Sequence, residues 1–340
     1  MLSLNDLIMA VPKLEVQVTL ALFHTILWYF LINHIFVPLG ILIISNLRSK
    51  KRFIHFNRES FQKMVQWDIG DDEDEQIIAI ARINAAMVQH LFGGLLCVPA
   101  AFGLGNLLPF GAATAMARQG MLCEMGWEVQ DIMMRCYEIL FGGEKGRKLN
   151  PLNLMLAIMA HHSASCTSVI PMNITYPNSC YWHEGFCWVQ LGSFTLLFLQ
   201  QYGYTLDVEM PEELTKMKIS ISISFFTSIW TRVIRYSWIL ILLINMLMQD
   251  EQWILLYVGI TPAILLSIFN AIVVKDAWQK FVKFVSMDIK KRSKYKIEGT
   301  LKKMGSYRDL ATKSVSEVQS RIKSRKLYTG VSAEDILVGY

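Results

Sequence analysis

The chain has 340 residues, of which 53% are hydrophobic and only 18% charged, with a net charge of +5. That balance excludes an ordinary soluble domain and a disordered chain, and it marks a protein dominated by apolar spans. Positive charge gathers in a few segments without any recognised nucleic-acid-binding module, so nucleic acid is not an expected partner.

Taken in order, the chain reads as all-α and polytopic, with seven transmembrane helices. Residues 1–15 are polar-mixed, and the apolar run that follows is far longer than the core of a cleavable signal peptide. The first span covers about 16–45 and stops at Arg48, Lys50, Lys51 and Arg52. A polar segment ends in the acidic run Asp71 to Glu75, which suits the N-terminus of the second span, about 77–102. Pro99 breaks that span, and a turn rich in glycine and proline leads to the third, about 112–141. The basic linker GGEKGRKLN precedes the fourth, Leu149 to Pro171, which carries His161 and His162 side by side near its middle. A short connector leads to the fifth span, about 181–202, and a mixed loop to the sixth, about 219–248. The seventh is about 253–274.

Three parts follow: 1–76, an N-terminal span with its cytosolic loop; 77–274, a six-helix membrane domain; and 275–340, a basic tail with about half of all lysines and arginines. In the tail, Trp278, Phe281, Val282, Phe284 and Val285 alternate with Lys280 and Lys283. This is the pattern of an amphipathic helix lying on a cytosolic membrane surface of anionic headgroups. A solvated tail, or one that docks on other membrane subunits, fits the charge run equally. The loops after spans one and three and the tail hold nearly all the extramembrane positive charge, while the turns after spans two, four and six hold none. The positive-inside rule then sets the C-terminus in the cytosol and the N-terminus in a lumen, with the endoplasmic reticulum or another endomembrane as the expected location. The sequon Asn173-Ile174-Thr175 falls on the lumenal side as a weak glycosylation acceptor.

Ionisable groups inside the spans carry the functional argument. Glu124, Glu128, Asp131 and Arg135 stand at i, i+4, i+7 and i+11, on a single helical face. Asp131 and Arg135 are spaced to pair with each other. Span six repeats the spacing with Ser224, Ser228, Thr231 and Arg235, beside Arg232; span two offers Arg82, Gln89 and His90, and span five Gln190. Facing lipid, Arg232 and Arg235 would each cost about 2.5–3.5 kcal/mol, so these faces are expected to turn inward and meet Glu124, Glu128 or Asp131 across a shared cavity. Interhelical ion pairs that merely lock packing are the alternative. Adjacent helical residues point about 100° apart, so His161 and His162 are not spaced to chelate one ion, and no metal is expected. A cavity-facing imidazole can act as general base or nucleophile; a structural pair is the other reading. The six cysteines lie mostly in apolar stretches without zinc-like spacing, and only Cys180 and Cys187 are placed as disulfide candidates.

These residues also carry a family likeness. Ile83-Asn84-Ala85-Ala86 through His90, the segment Gly126-Trp127-Glu128-Val129-Gln130-Asp131, the pair His161-His162 and the block Phe225-Phe226 through Arg232 resemble the TLC-domain family. Its members include ceramide synthases, translocating-chain-associated membrane proteins and a neuronal ceroid lipofuscinosis protein. The likeness covers about 77–274 and implies a barrel of about six helices around a lipid-accessible cavity, lined by Asp131 and the histidine pair. Ceramide synthases carry a His-Asp-x-x-Asp motif on the next span, where this chain reads Trp188-Val189-Gln190-Leu191-Gly192-Ser193 without a carboxylate. The resemblance therefore points to a protein that binds, senses or regulates membrane lipid. Acyl transfer from acyl-CoA through His161, His162 and Asp131, without any cofactor, is an alternative. A third is an accessory subunit of a membrane complex.

Overall fold

A computed structural model describes residues 3–109 and 111–287, and among these it is all helix, with no strand. The basic tail from residue 288 onward lies outside the described residues. A short helix α1 (Leu4–Ile8) opens the chain under a capping box, in which Ser3 accepts from the Asp6 amide and Asp6 accepts from the Ser3 amide. Helices α2 (Leu14–Leu31) and α3 (Val37–Ser45) form one rod of 32 residues through a π-turn at Ile32–Phe36. Pro38, which has no N–H to give, falls in the first turn of α3, where the wider turn absorbs it. Amphipathic α4 (Lys50–Val65) follows, then α5 (Glu73–Ala101), whose first turn holds Glu73, Asp74 and Glu75 and whose N-cap Asp72 accepts from the amides of Asp74 and Glu75. The acidic run thus does what its position suggested: carboxylates stabilise the positive end of the helix dipole.

Helix α6 (Ala112–Phe141) has the boundaries read from the sequence and is followed by the short α7 (Gly143–Leu149). Helix α8 (Leu152–Thr175) runs through Pro171 for another turn, and α9 (Cys180–Thr205) follows after a tight connector. Helices α10 (Pro211–Ser228) and α11 (Tyr236–Gln249) make a second continuous rod, of 39 residues, through a π-segment at Ile229–Arg235. Helix α12 (Trp253–Val285) ends the described chain. It continues eleven residues past the expected end of span seven, because Trp278 and Phe281 stack on Phe225 and Phe226 of α10. The first part of the expected surface helix is therefore an extension of the span.

Four of these rods, Leu14–Ser45, Glu73–Ala101, Pro211–Gln249 and Trp253–Val285, are long and apolar enough to cross a membrane. Four such helices mark an integral membrane protein. Large exposed apolar side chains, Phe23, Ile26, Phe92, Phe226, Trp238, Ile264 and Ile268 among them, coat the outside. Polar groups go inward: Gln89, Glu124, Glu128, His162, Gln190, Ser228 and Arg232 are each at most 4% exposed.

Contacts between connecting segments gather at two ends of the bundle. At one end, Tyr176 after α8 donates to Asp250 after α11 at 2.9 Å. There too Arg118 of α6 donates to the carbonyls of Met9, Ala10 and Pro177 at 2.8–2.9 Å. At the other end, Lys50 and Lys145 reach Glu73 and Glu75 at 2.6 Å. That contact raises the Lys145 ammonium above its ordinary range, through its hydrogen bond to Glu75.

Candidate functional site

The site begins where α5 and α6 cross. A Cβ on Gly120 would stand 2.7 Å from the carbonyl oxygen of Gly93, so the crossing depends on Gly120 having no side chain. One turn further along each helix, this approach brings His90 to within 3.5 Å of Glu124. His90 Nδ1 donates to Gln190 Oε1 of α9 at 2.7 Å.

One turn beyond Glu124 lies Glu128, 1% exposed. His162 of α8 stands between it and Asp131: Nδ1 is 3.3 Å from Glu128 Oε1, and Nε2 donates to Asp131 Oδ2 at 3.3 Å. Trp127 walls the cluster, its ring edge-on to both His90 and His162. Arg135 grips both oxygens of Asp131 at 3.0–3.1 Å and donates to Asn150. The expected Asp131–Arg135 pair is thus present, anchored by a residue at the foot of α8. His161 turns the other way. It stacks on Phe269 of α12 at 4.8 Å, and its Nδ1 is buried without a hydrogen-bond partner.

A groove of about 180 Å³ opens over His161, Glu124, Glu128, His90 and Gln190. Its walls are apolar: residues 239–247 of α11 and 255–266 of α12 line it on one side, with Met172, Trp182 and Phe186 opposite. On α11 the lining runs from Tyr236 to Leu247, about 16 Å at 1.5 Å per residue. The groove is a polar floor at the end of a long greasy slot.

The arginines of span six take other partners than those expected. Arg232 is buried but donates to Ser193, Asn270 and the Val189 carbonyl instead of meeting a carboxylate of α6. Arg235 pairs with Glu184 of α9, whose carboxylate also accepts from Trp188. The π-segment causes both shifts: its extra residue per turn rotates Thr231 and Arg232 toward α9, where Gly192 leaves room, since a Cβ there would stand 2.7 Å from Thr231 Oγ1. Arg82 lies outside the cavity, at the basic end, paired with Glu138 at 2.6 Å with 43% of its side chain exposed.

The glycosylation reading of Asn173 is corrected. The residue lies inside α8, fully buried, its amide donating to Gln17 Oε1 at 3.0 Å and its oxygen accepting from Trp182. No glycan fits there. Cys180 and Cys187 are both free thiols. Asn270 and Ser193 were not singled out from the sequence, although an asparagine amid the apolar residues of span seven was a visible signal.

An all-helical membrane protein with a buried carboxylate–histidine cluster under an apolar groove is the class that fold and site define. No family model matches the chain, and no curated protein and no solved structure matches it.

Proposed function

We propose that the chain is a seven-span protein of the TLC type that binds a membrane lipid in the groove above His161 and so senses or regulates membrane composition. The observation that carries this reading is the groove itself. Its apolar walls suit a hydrocarbon chain, and its floor of His161, Gln190, Glu124 and Glu128 suits a polar group at that chain's end.

Seven rods support the span count. Besides the four apolar ones, α6, α8 and α9 have 30, 24 and 26 residues, each at least about 36 Å long against a hydrocarbon core of about 30 Å. They are less apolar than the other four because they carry the polar residues that turn inward, Glu124, Glu128, His162 and Gln190 among them. The contacts between turns support an alternating path, since those after α8 and α11 meet at one end and the basic loops after α3 and α6 at the other. With the positive-inside rule this gives a lumenal N-terminus and a cytosolic C-terminus, in the endoplasmic reticulum or another endomembrane.

One observation favours a second reading, acyl transfer from acyl-CoA: the unpartnered Nδ1 of His161 beside the groove is placed as a nucleophile or base.

Gly259 offers the test. It lines the groove, and a Cβ there has nothing within 4 Å. Native mass spectrometry of the detergent-purified chain should show a co-purified lipid that Gly259→Phe displaces while the protein stays folded. Equal lipid occupancy in both would refute the reading. His161-dependent consumption of labelled acyl-CoA would move the assignment to the second.

A further inference from the structure

The carboxylate–histidine cluster buries two carboxylates that, among the described residues, no lysine or arginine neutralises. Glu124 and Glu128 are each 1% exposed. A carboxylate so deep within a helix bundle needs a proton, a cationic partner or a metal ion. His162 is already committed: its Nε2 proton goes to Asp131, whose own position Arg135 fixes through both oxygens. A neutral ring that gives Nε2–H to a carboxylate turns a lone pair outward at Nδ1, and that Nδ1 faces Glu128 Oε1 at 3.3 Å. The two atoms repel across 3.3 Å unless a proton or a metal ion sits between them, and a metal ion recruits His161 as well. His161 Nδ1 is likewise buried with no hydrogen-bond partner.

We propose that Glu128, His161 and His162 bind one divalent transition-metal ion of the zinc type, with its open coordination position facing the groove. The three side chains each offer one ligand atom, all within 4.8 Å of one another. Zinc bonds of about 2.0–2.2 Å require ligand atoms roughly 3.3 Å apart in a tetrahedral shell, the separation His162 and Glu128 already have. His161 must swing inward by rotation of its side chain, away from its stack on Phe269. The backbone directions of adjacent histidines diverge, but the ring centroids are 5.4 Å apart at 46° and the ligand atoms lie within 4.8 Å, so the divergence does not keep their nitrogens apart. Asp131 then takes the place that a metal-binding histidine ordinarily gives to a carboxylate on its far nitrogen, which fixes tautomer and orientation. Cys166 Sγ stands 4.0 Å from Glu128 Oε2, beside the carboxylate oxygen turned away from His162. Two histidines and one glutamate with a free position are a catalytic-type donor set, in contrast to the closed four-ligand shell of a structural site. The inference goes beyond the lipid-binding reading and stands whether a bound lipid is held or turned over.

The test uses the full chain, purified in detergent with its affinity tag removed and then analysed for metal content. The wild type should carry about one ion per chain, as a single such site requires. His161→Ala and Glu128→Gln should lose it, while Glu144→Gln, an exposed carboxylate on α7 outside the groove lining, should keep it. Asp131→Asn should weaken affinity by about 10–100-fold without abolishing binding, the signature of a positioning residue. Should the ligand variants fail to fold, Co2+ titration of the stripped wild type decides. Intense four- or five-coordinate ligand-field bands that saturate at one equivalent support the site, and a spectrum of aqueous Co2+ alone overturns it. Wild-type metal content no higher than that of folded ligand variants overturns it as well.

Discussion

The same substitution at two glycines should change stability in opposite directions. At Gly120, an added Cβ would lie 2.7 Å from the Gly93 carbonyl oxygen, 3.0 Å from Leu96 Cβ and 3.2 Å from Cys97 Sγ. The nearest of these is backbone, which has no rotamer to escape through, so α5 and α6 must part by about 0.7 Å to reach ordinary contact. Overpacking costs about 1–3 kcal/mol, and a clash with backbone sits in the upper part of that range, about 2–3; alanine's better helix propensity returns about 1, which leaves a net loss of roughly 1–2 kcal/mol. At Gly259 nothing lies within 4 Å, so Gly259→Ala keeps only the propensity gain of about 0.5–1 kcal/mol. At about 2–4 °C per kcal/mol, Gly120→Ala should melt roughly 2–8 °C below the wild type and Gly259→Ala about 1–4 °C above it. Differential scanning fluorimetry in one detergent reads both. The separation at Gly120 should also weaken lipid retention, because His90 and Glu124 sit one turn away and their 3.5 Å contact would open. A Gly120→Ala melting point at or above wild type would show that the α5–α6 crossing is not as tight as described.

Further substitutions test other parts of the account. Arg118→Met removes three donations to the carbonyls of Met9, Ala10 and Pro177 near the wet end of the bundle. It should cost about 2–4 kcal/mol and speed amide exchange over residues 5–13; unchanged exchange there would refute the clamp. Arg135→Leu strips Asp131 and Asn150 of their shared partner and should destabilise by about 2–3 kcal/mol, since Asp131 keeps 22% of its side chain exposed. Adding Asp131→Asn to that variant should recover part of the loss, and a double variant worse than the single would count against a charge origin. Expressed in a glycosylating host, the chain should show no mobility change on glycosidase treatment, because Asn173 is enclosed by Gln17 and Trp182. Asn173→Gln should cost about 1–3 kcal/mol by forcing an extra methylene into that enclosure.

How much was legible in the sequence differs between elements and pairings. Helix α6 was read to the residue because glycines bound it at both ends, and its spacing of Glu124, Glu128 and Asp131 correctly gathered them on one inward face. Helix α8 was cut short at Pro171, yet a proline in a membrane helix costs one backbone hydrogen bond, which here does not end the helix. The end of α12 was missed for a tertiary reason: the aromatic stack with Phe225 and Phe226 holds residues that read as interfacial. Pairings were the least legible. Periodicity says which residues share a face but not how far that face is rotated, and around Arg232 and Arg235 the rotation is set by a π-segment without a sequence signature. Both arginines therefore found α9 and α12 in place of the carboxylates of α6. Arg82 failed as a cavity residue for another reason, since its long side chain reaches the basic end, where Glu138 and solvent are available.

The most direct measurement is a cryo-EM map of the full chain in a lipid nanodisc. Elongated density between α8, α9, α11 and α12, with one end within hydrogen-bonding distance of His161 or Gln190, is what a lipid groove with a polar floor predicts. A collapsed groove, with Glu124, Glu128 and the two histidines on faces that do not meet, would contradict it.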